Sequence, residues 1–383
     1  MLSLKLIALS LVGCSVAAAA SSLYDVSPTQ TVTGPLAARR GLFSDSESCS
    51  SGQLLLPYTE SKLAINGTSD TLSFFTSTAV TSPRTLIVCA FGLRHDLGEC
   101  FSQNFDAVVS NKAVIVAPYF ACNNKLNVFR IACLQGELCW SSCNGFASND
   151  FAQTGSDSPS TIVDNVIKTT MKQYPSIQNV VAVGFSLGAQ FINHYAAITA
   201  LPDSIPMRFV FASASGYLYL DTKRPTSIET FKEYNSRNCP TFDDWKYGLT
   251  GYFYPGMRER LLSRDLTILG LKYDNGCGVG SASCSCEVLA QSNGVSNRFV
   301  LAKTYYHYLF QAQGKTAGLT YQEIDTCGHD ACCFYNDFTL EGLVAGHPVV
   351  APTITVSSSL PASSSLFITA SLFILTISLC CSL

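Results

Sequence analysis

Five short apolar runs without polar alternation constrain the fold of this chain most: residues 84–90, 113–117, 180–183, 209–212 and 266–271. A strand with one wet face alternates apolar and polar residues, whereas a strand buried on both faces does not. Helical periodicity lies between the runs. Residues 160–174 place Ile162, Val163, Val166, Ile167 and Met171 on one face, and residues 296–313 do the same with Phe299, Leu301, Tyr305, Tyr306 and Leu309. Alternating strands and helices predict a doubly wound α/β domain with a mostly parallel sheet. Alternating runs within 49–80 predict edge strands or hairpins. Residues 122–158 carry four cysteines, fit neither period, and read as a disulfide-pinned insertion.

Both ends read as addresses. Lys5, an apolar run and small residues around Ala18–Ser21 match a secretory signal over 1–20, followed by a loose lead-in over 21–48. The α/β domain is expected over 49–345, a Ser-rich stalk over 346–358, and an apolar tail over 359–383. No Asp, Glu, Lys or Arg follows Glu341. A small-residue acceptor, a polar spacer and an apolar tail match a glycosylphosphatidylinositol (GPI) attachment signal, with Ser357 or Ser358 as acceptor. The alternative is a retained membrane helix, which is usually followed by Lys or Arg on its cytoplasmic side. These features predict a protein of the secretory pathway, displayed at the cell surface on a lipid anchor. Asn66-Gly67-Thr68 is an acceptor sequon for a surface glycan.

Of 17 cysteines, Cys14, Cys380 and Cys381 fall in the two signals, leaving an even set of 14 and predicting disulfides. Cys89 lies in an apolar run, where a free buried thiol is the alternative. With 24 Lys+Arg against 27 Asp+Glu, the net charge is -3. That excludes the basic footprint by which nucleic-acid binders neutralise phosphates. No cofactor motif and no obligate partner are read, and a monomer is expected.

The stretch Asn179-Val-Val-Ala-Val-Gly184-Phe-Ser186-Leu187-Gly188-Ala-Gln190 carries the chemistry. A G-x-S-x-G match alone is weak, but here a buried strand leads in and an apolar helix pattern leads out. The strand must turn sharply into the helix with Ser186 at the apex, and Gly184 and Gly188 remove side chains that would collide across the turn. Downstream, Asp274 directly follows the stretch LTILGLKY at 266–273, and His329 follows a strand-like segment at 319–324.

This arrangement resembles the nucleophile elbow of the α/β-hydrolase superfamily, over about residues 83–334. The resemblance implies a serine hydrolase with a Ser–Asp–His triad in that chain order: Ser186 as nucleophile, Asp274 as acid, His329 as base. Asp265, at the other end of the same strand, and Asp243 and Asp244, in a polar insertion, are poorer acids. His95, His194, His307 and His347 are poorer bases. The oxyanion donors should be the backbone N–H of Leu187 and that of Phe91 or Gly92, although Phe91-Gly92 departs from the His-Gly that many relatives carry. A carboxylic ester, small or polymeric, is the implied substrate; peptide and thioester bonds are the alternatives. A non-catalytic binding protein on the same fold is another alternative. A metal site among Cys284, Cys286, Cys327, His329, Cys332 and Cys333 is a third, against which stand spacings unlike paired zinc ligands. Cys277, Cys327, Cys332 and Cys333 are read instead as staples around the acid and base loops. The aromatics Tyr217, Tyr219, Tyr252 and Tyr254 are expected to pack a core or cap, with substrate lining as the alternative.

Overall fold

The computed structural model describes residues 57–78, 80–93, 97–101, 113–122, 133–252, 254–276, 284–295, 297–314 and 318–336. The predicted signals, the stalk, Ser357, Ser358, Cys49, Cys277, His95 and His347 lie outside them. The chain divides into two compact units, 1–351 and 352–383, and everything described belongs to the first.

Eight strands form one sheet in the order β1-β2-β4-β3-β5-β6-β9-β10. The expected buried runs become β3 (Thr85–Ala90), β4 (Ala113–Tyr119), β5 (Asn179–Phe185), β6 (Met207–Ala212) and β9 (Asp265–Leu271), all parallel to their neighbours within this set. Parallel β10 (Leu319–Ile324) closes one edge. At the other edge, the hairpin β1 (Tyr58–Ala64) and β2 (Thr71–Ser77) joins β4 antiparallel. A two-stranded hairpin, β7 (Lys223–Ser227) and β8 (Thr230–Glu233), lies in the excursion after β6.

The lack of alternation in the central strands has its cause in the layers. Val88, Val116, Ala182, Phe209 and Ile268 join one apolar cluster; Ile87, Ile115, Val181, Val210 and Leu269 join another. Successive residues of a strand point to opposite faces, and both faces are covered. Helices α1 (Leu97–Phe101), α2 (Cys143–Ala147), α3 (Pro159–Gln173), α4 (Leu187–Ile198), α5 (Met257–Ser263), α6 (Cys286–Ala290), α7 (Arg298–Gln313) and α8 (Ala331–Asn336) do this. Helix α3 starts where Ser158 Oγ accepts from the Thr161 N–H and Pro159 takes the first turn. Helix α7 starts where the Asn297 side chain accepts from the Val300 N–H, and it ends at left-handed Gly314. Met171 is only partly buried on the predicted face of α3, and its four companions are fully buried.

All twelve described cysteines are disulfide-bonded. Cys122–Cys143 and Cys133–Cys139 pin the predicted insertion. Cys89 pairs with Cys100, so the free-thiol alternative fails: the β3 strand end and α1 lie against each other and bring the two sulfurs together. Such bonds persist in oxidising compartments, which places the folded chain in one. No helix among the described residues is long and apolar enough to cross a membrane.

Candidate active site

Strands β4 and β5 flank β3 on opposite sides, so the sheet's order reverses there. Loops leaving the carboxyl ends of strands at such a point diverge and open a crevice. Ser186 sits at the carboxyl end of β5, between β5 and α4, with φ 54° and ψ −115°. A non-glycine residue in that conformation is strained and must be held by its surroundings. Its N–H donates to the Ala212 carbonyl at 3.0 Å, and its carbonyl accepts from the Gln190 N–H at 3.1 Å. The glycines are fixed by close approach. A Cβ on Gly184 would strike the Gly188 carbonyl, and one on Gly188 would strike the Ala90 carbonyl at the end of β3.

Ser186 Oγ and His329 Nε2 are 3.1 Å apart. His329 Nδ1 and Asp274 Oδ2 are 2.8 Å apart. The three residues predicted from the sequence therefore form one hydrogen-bonded chain across the carboxyl edge of the sheet. Asp274 follows β9, is 1% exposed, and donates its N–H to the Leu271 carbonyl. His329 lies between β10 and α8, with the Phe185 ring 4.9 Å from its own. The Cys327–Cys333 disulfide spans it. A Cβ on Gly328 would come within 3.3 Å of the Tyr273 carbonyl, so the base loop packs closely on the acid loop there.

Burial pushes the Asp274 carboxyl up, but the His329 hydrogen bond and the charges of His329 and Arg298 pull it further down. It titrates below its ordinary range. Arg298, the first residue of α7, donates from one terminal nitrogen to Asp274 Oδ1 at 3.3 Å, and both side chains are buried. Arg298 was missed in the sequence. Its one signal is a cation in the first turn of a predicted helix, where the macrodipole disfavours positive charge.

Leu187 opens α4, so its N–H is among those a helix leaves without an internal acceptor. Gly92 is corrected as a donor: its N–H already donates to Glu99 Oε2 at 2.7 Å. Phe91 stays as the candidate for the second amide. Glu99 is buried in α1, next to Cys100, and was also missed. An acidic residue inside the apolar stretch Leu-Gly-Glu-Cys-Phe was its signal.

The rivals stand elsewhere. Asp265 opens β9 at the opposite sheet edge and pairs with Arg208 at 2.9 Å. Asp243 pairs with buried Arg224, and Asp244 lies in a turn nearby. His194 is fully buried, with its ring nitrogens 2.8 and 3.0 Å from the Ala147 and Lys246 carbonyls. Burial pushes it down to about 4 despite those two contacts. His307 lies 3.7 Å from Glu229. The metal alternative is corrected, because Cys284, Cys286, Cys327, Cys332 and Cys333 are all disulfide sulfurs and offer no thiolate. In the core, Tyr217 stacks on Tyr305 at 4.5 Å between rings and Tyr219 packs at a tilt on Tyr308 at 4.4 Å. Tyr252 stacks on Trp245 at 4.0 Å, and both are half-buried; Tyr254 lies under Arg260.

Sheet order, sharp turn and helical layers define the α/β-hydrolase fold. Among solved structures, the chain is similar to LpqC, a poly(3-hydroxybutyrate) depolymerase from Bordetella parapertussis, at 18% identity and a TM-score of 0.52 over 75% of this chain and 90% of that one. It is also similar to poly(aspartic acid) hydrolase-1 from Sphingomonas sp. KT-1, at 14% identity and a TM-score of 0.51 over 76% and 99%. No family model and no curated protein matches the sequence.

Proposed function

We propose that this protein is a serine hydrolase that cleaves carboxylic esters. The observation that carries the reading is the continuous chain Ser186–His329–Asp274, at 3.1 and 2.8 Å, on a strained strand-to-helix turn. His329 Nε2 takes the Ser186 proton as Oγ attacks the acyl carbonyl. Asp274 accepts from Nδ1, fixes the tautomer, and stabilises the imidazolium that forms. The Leu187 and Phe91 amides stabilise the tetrahedral oxyanion, a contribution of about 3 kcal/mol for a donor of this kind. His329 then returns the proton to the leaving alcohol, leaving an acyl-Ser186. Water, deprotonated by His329, attacks that ester, and the acid product departs as Ser186 regains its proton.

An ester substrate is favoured by the likeness of fold to a poly(3-hydroxybutyrate) depolymerase, and an amide by the likeness to a poly(aspartic acid) hydrolase. The test is a panel of short and long acyl esters, poly(3-hydroxybutyrate) and poly(aspartic acid), assayed with native protein and Ser186→Ala. Ester turnover abolished in S186A supports the reading; turnover equal in the two proteins, or none on any substrate, overturns it.

The protein's setting is proposed on the same terms: entry into the secretory pathway through residues 1–20 and a lipid anchor at Ser357 or Ser358. A glycan is proposed at Asn66, which is exposed in the turn between β1 and β2. Release from cells by phosphatidylinositol-specific phospholipase C tests the anchor. A mobility shift on N-glycan removal, absent in Asn66→Gln, tests the glycan.

A further inference from the structure

We propose that Arg298 is a positioning residue of this site, holding the Asp274 carboxylate in the one rotation that presents Oδ2 to His329. The inference rests on the serine-hydrolase reading and adds a fourth side chain to it. A carboxylate bonded through one oxygen can turn about its terminal torsion, which is broad and two-fold. Here the two oxygens are divided. His329 Nδ1 lies 2.8 Å from Oδ2, and Arg298 donates to Oδ1 at 3.3 Å. The same guanidinium nitrogen donates to the Gly276 carbonyl at 3.3 Å, so it ties the carboxylate to the acid loop's backbone.

The start of α7 reinforces this. The Arg298 N–H donates to the Gly276 carbonyl and the Phe299 N–H to the Asp274 carbonyl, both at 3.3 Å. Asn297, the cap, donates from its side chain to Asn275 Oδ1 at 3.1 Å. Residues 274–276 and the first turn of α7 are thus locked together by five hydrogen bonds, two of them from the guanidinium.

Stability alone does not account for the arrangement. A cation at the first helical position opposes the macrodipole, and a buried ion pair is weak evidence of net stabilisation. Arg298 Nε is buried without a hydrogen-bond partner among the described residues, a further loss. What the guanidinium supplies is a permanent positive charge against the oxygen that His329 does not use. Three titratable or charged groups face the carboxylate: His329 from the loop after β10, Arg298 from α7, and the Tyr217 phenol from the segment after β6. Burial holds that phenol protonated. Lys272 is exposed and turned to Asp325 at 3.2 Å. Removing Arg298 therefore removes the permanent cation bonded to the carboxylate, and Asp274 binds a proton more readily.

The experiment is the rate of Ser186 modification by a fluorophosphonate as a function of pH, in the native protein, Arg298→Met and Arg298→Lys. The expected result for R298M is an acid limb displaced upward by about one pH unit, with a plateau about tenfold lower. R298K, which keeps the charge but not the length and planar shape of the guanidinium, should keep the native limb and lose part of the plateau. Should R298M fail to fold, Arg298→Gln reads the same displacement. A native limb in the neutral variant, with only its plateau or melting temperature changed, overturns the role of Arg298 and leaves the hydrolase reading standing. Native protein that reacts at no pH overturns both.

Discussion

On one side of Ser186, the loops after β9 and β10 hold Asp274 and His329 through side chains, with Arg298 behind them. On the other side, the end of β3 and the segment after it are held by bonds to backbone groups and by one disulfide. The Gly92 N–H is bound by Glu99, the Ala90 carbonyl accepts from Tyr335 Oη at 3.4 Å, and Cys89 is tied to Cys100. The difference follows from the work each side is proposed to do. A base must move a proton, so its partners are titratable groups whose charges matter. An oxyanion cradle must keep amides still, so its partners act on backbone groups, with the Glu99 carboxylate as the one charged support among those named here.

The largest effect should break the first side alone. Asp274→Asn leaves the packing in place but presents the wrong hydrogen-bond pattern to Nδ1, and kcat on an ester should fall about 10⁴-fold. Steady-state kinetics with circular dichroism as a folding control checks this. On the other side, Gly188→Ala drives a Cβ into the Ala90 carbonyl, which the β3 strand cannot vacate. The expected loss is about 3 kcal/mol of stability, read by urea unfolding; unchanged stability would mean that the elbow and the β3 end are not in contact.

Glu99→Gln sharpens the comparison. The amide can still accept from Gly92 but without charge, so kcat should fall about tenfold while the acid limb of the pH profile stays put. A displaced limb would show that Glu99 acts on the charged side as well. The smallest effect concerns stability in acid. Asp274 titrates below its ordinary range, so its contribution is complete above the ordinary carboxylate value of about 3.9. It is lost as pH falls through the lowered native value. Urea unfolding of native protein and D274N at decreasing pH should converge there.

The same contrast explains what could be read in the sequence. Ser186 announced itself because strand, glycine spacing and helix pattern are local, and Asp274 and His329 because each lies in the loop that follows a strand. The buried strands were legible because both of their faces are covered, which erases alternation. Arg298 and Glu99 were not legible. Their roles depend on which loop end the first turn of a helix meets, and no local pattern encodes that. Cys89 was ambiguous for the same reason: the sequence places it in a buried strand, and only the packing of α1 brings Cys100 to it.

The central claim is that the Ser186 hydroxyl is activated by His329. The most direct measurement is treatment of the native protein with a fluorophosphonate, followed by peptide mapping of the adduct by mass spectrometry. One phosphonyl group on Ser186, absent in His329→Gln, is the predicted result. No adduct on Ser186, or an adduct that forms as fast in H329Q, would contradict it.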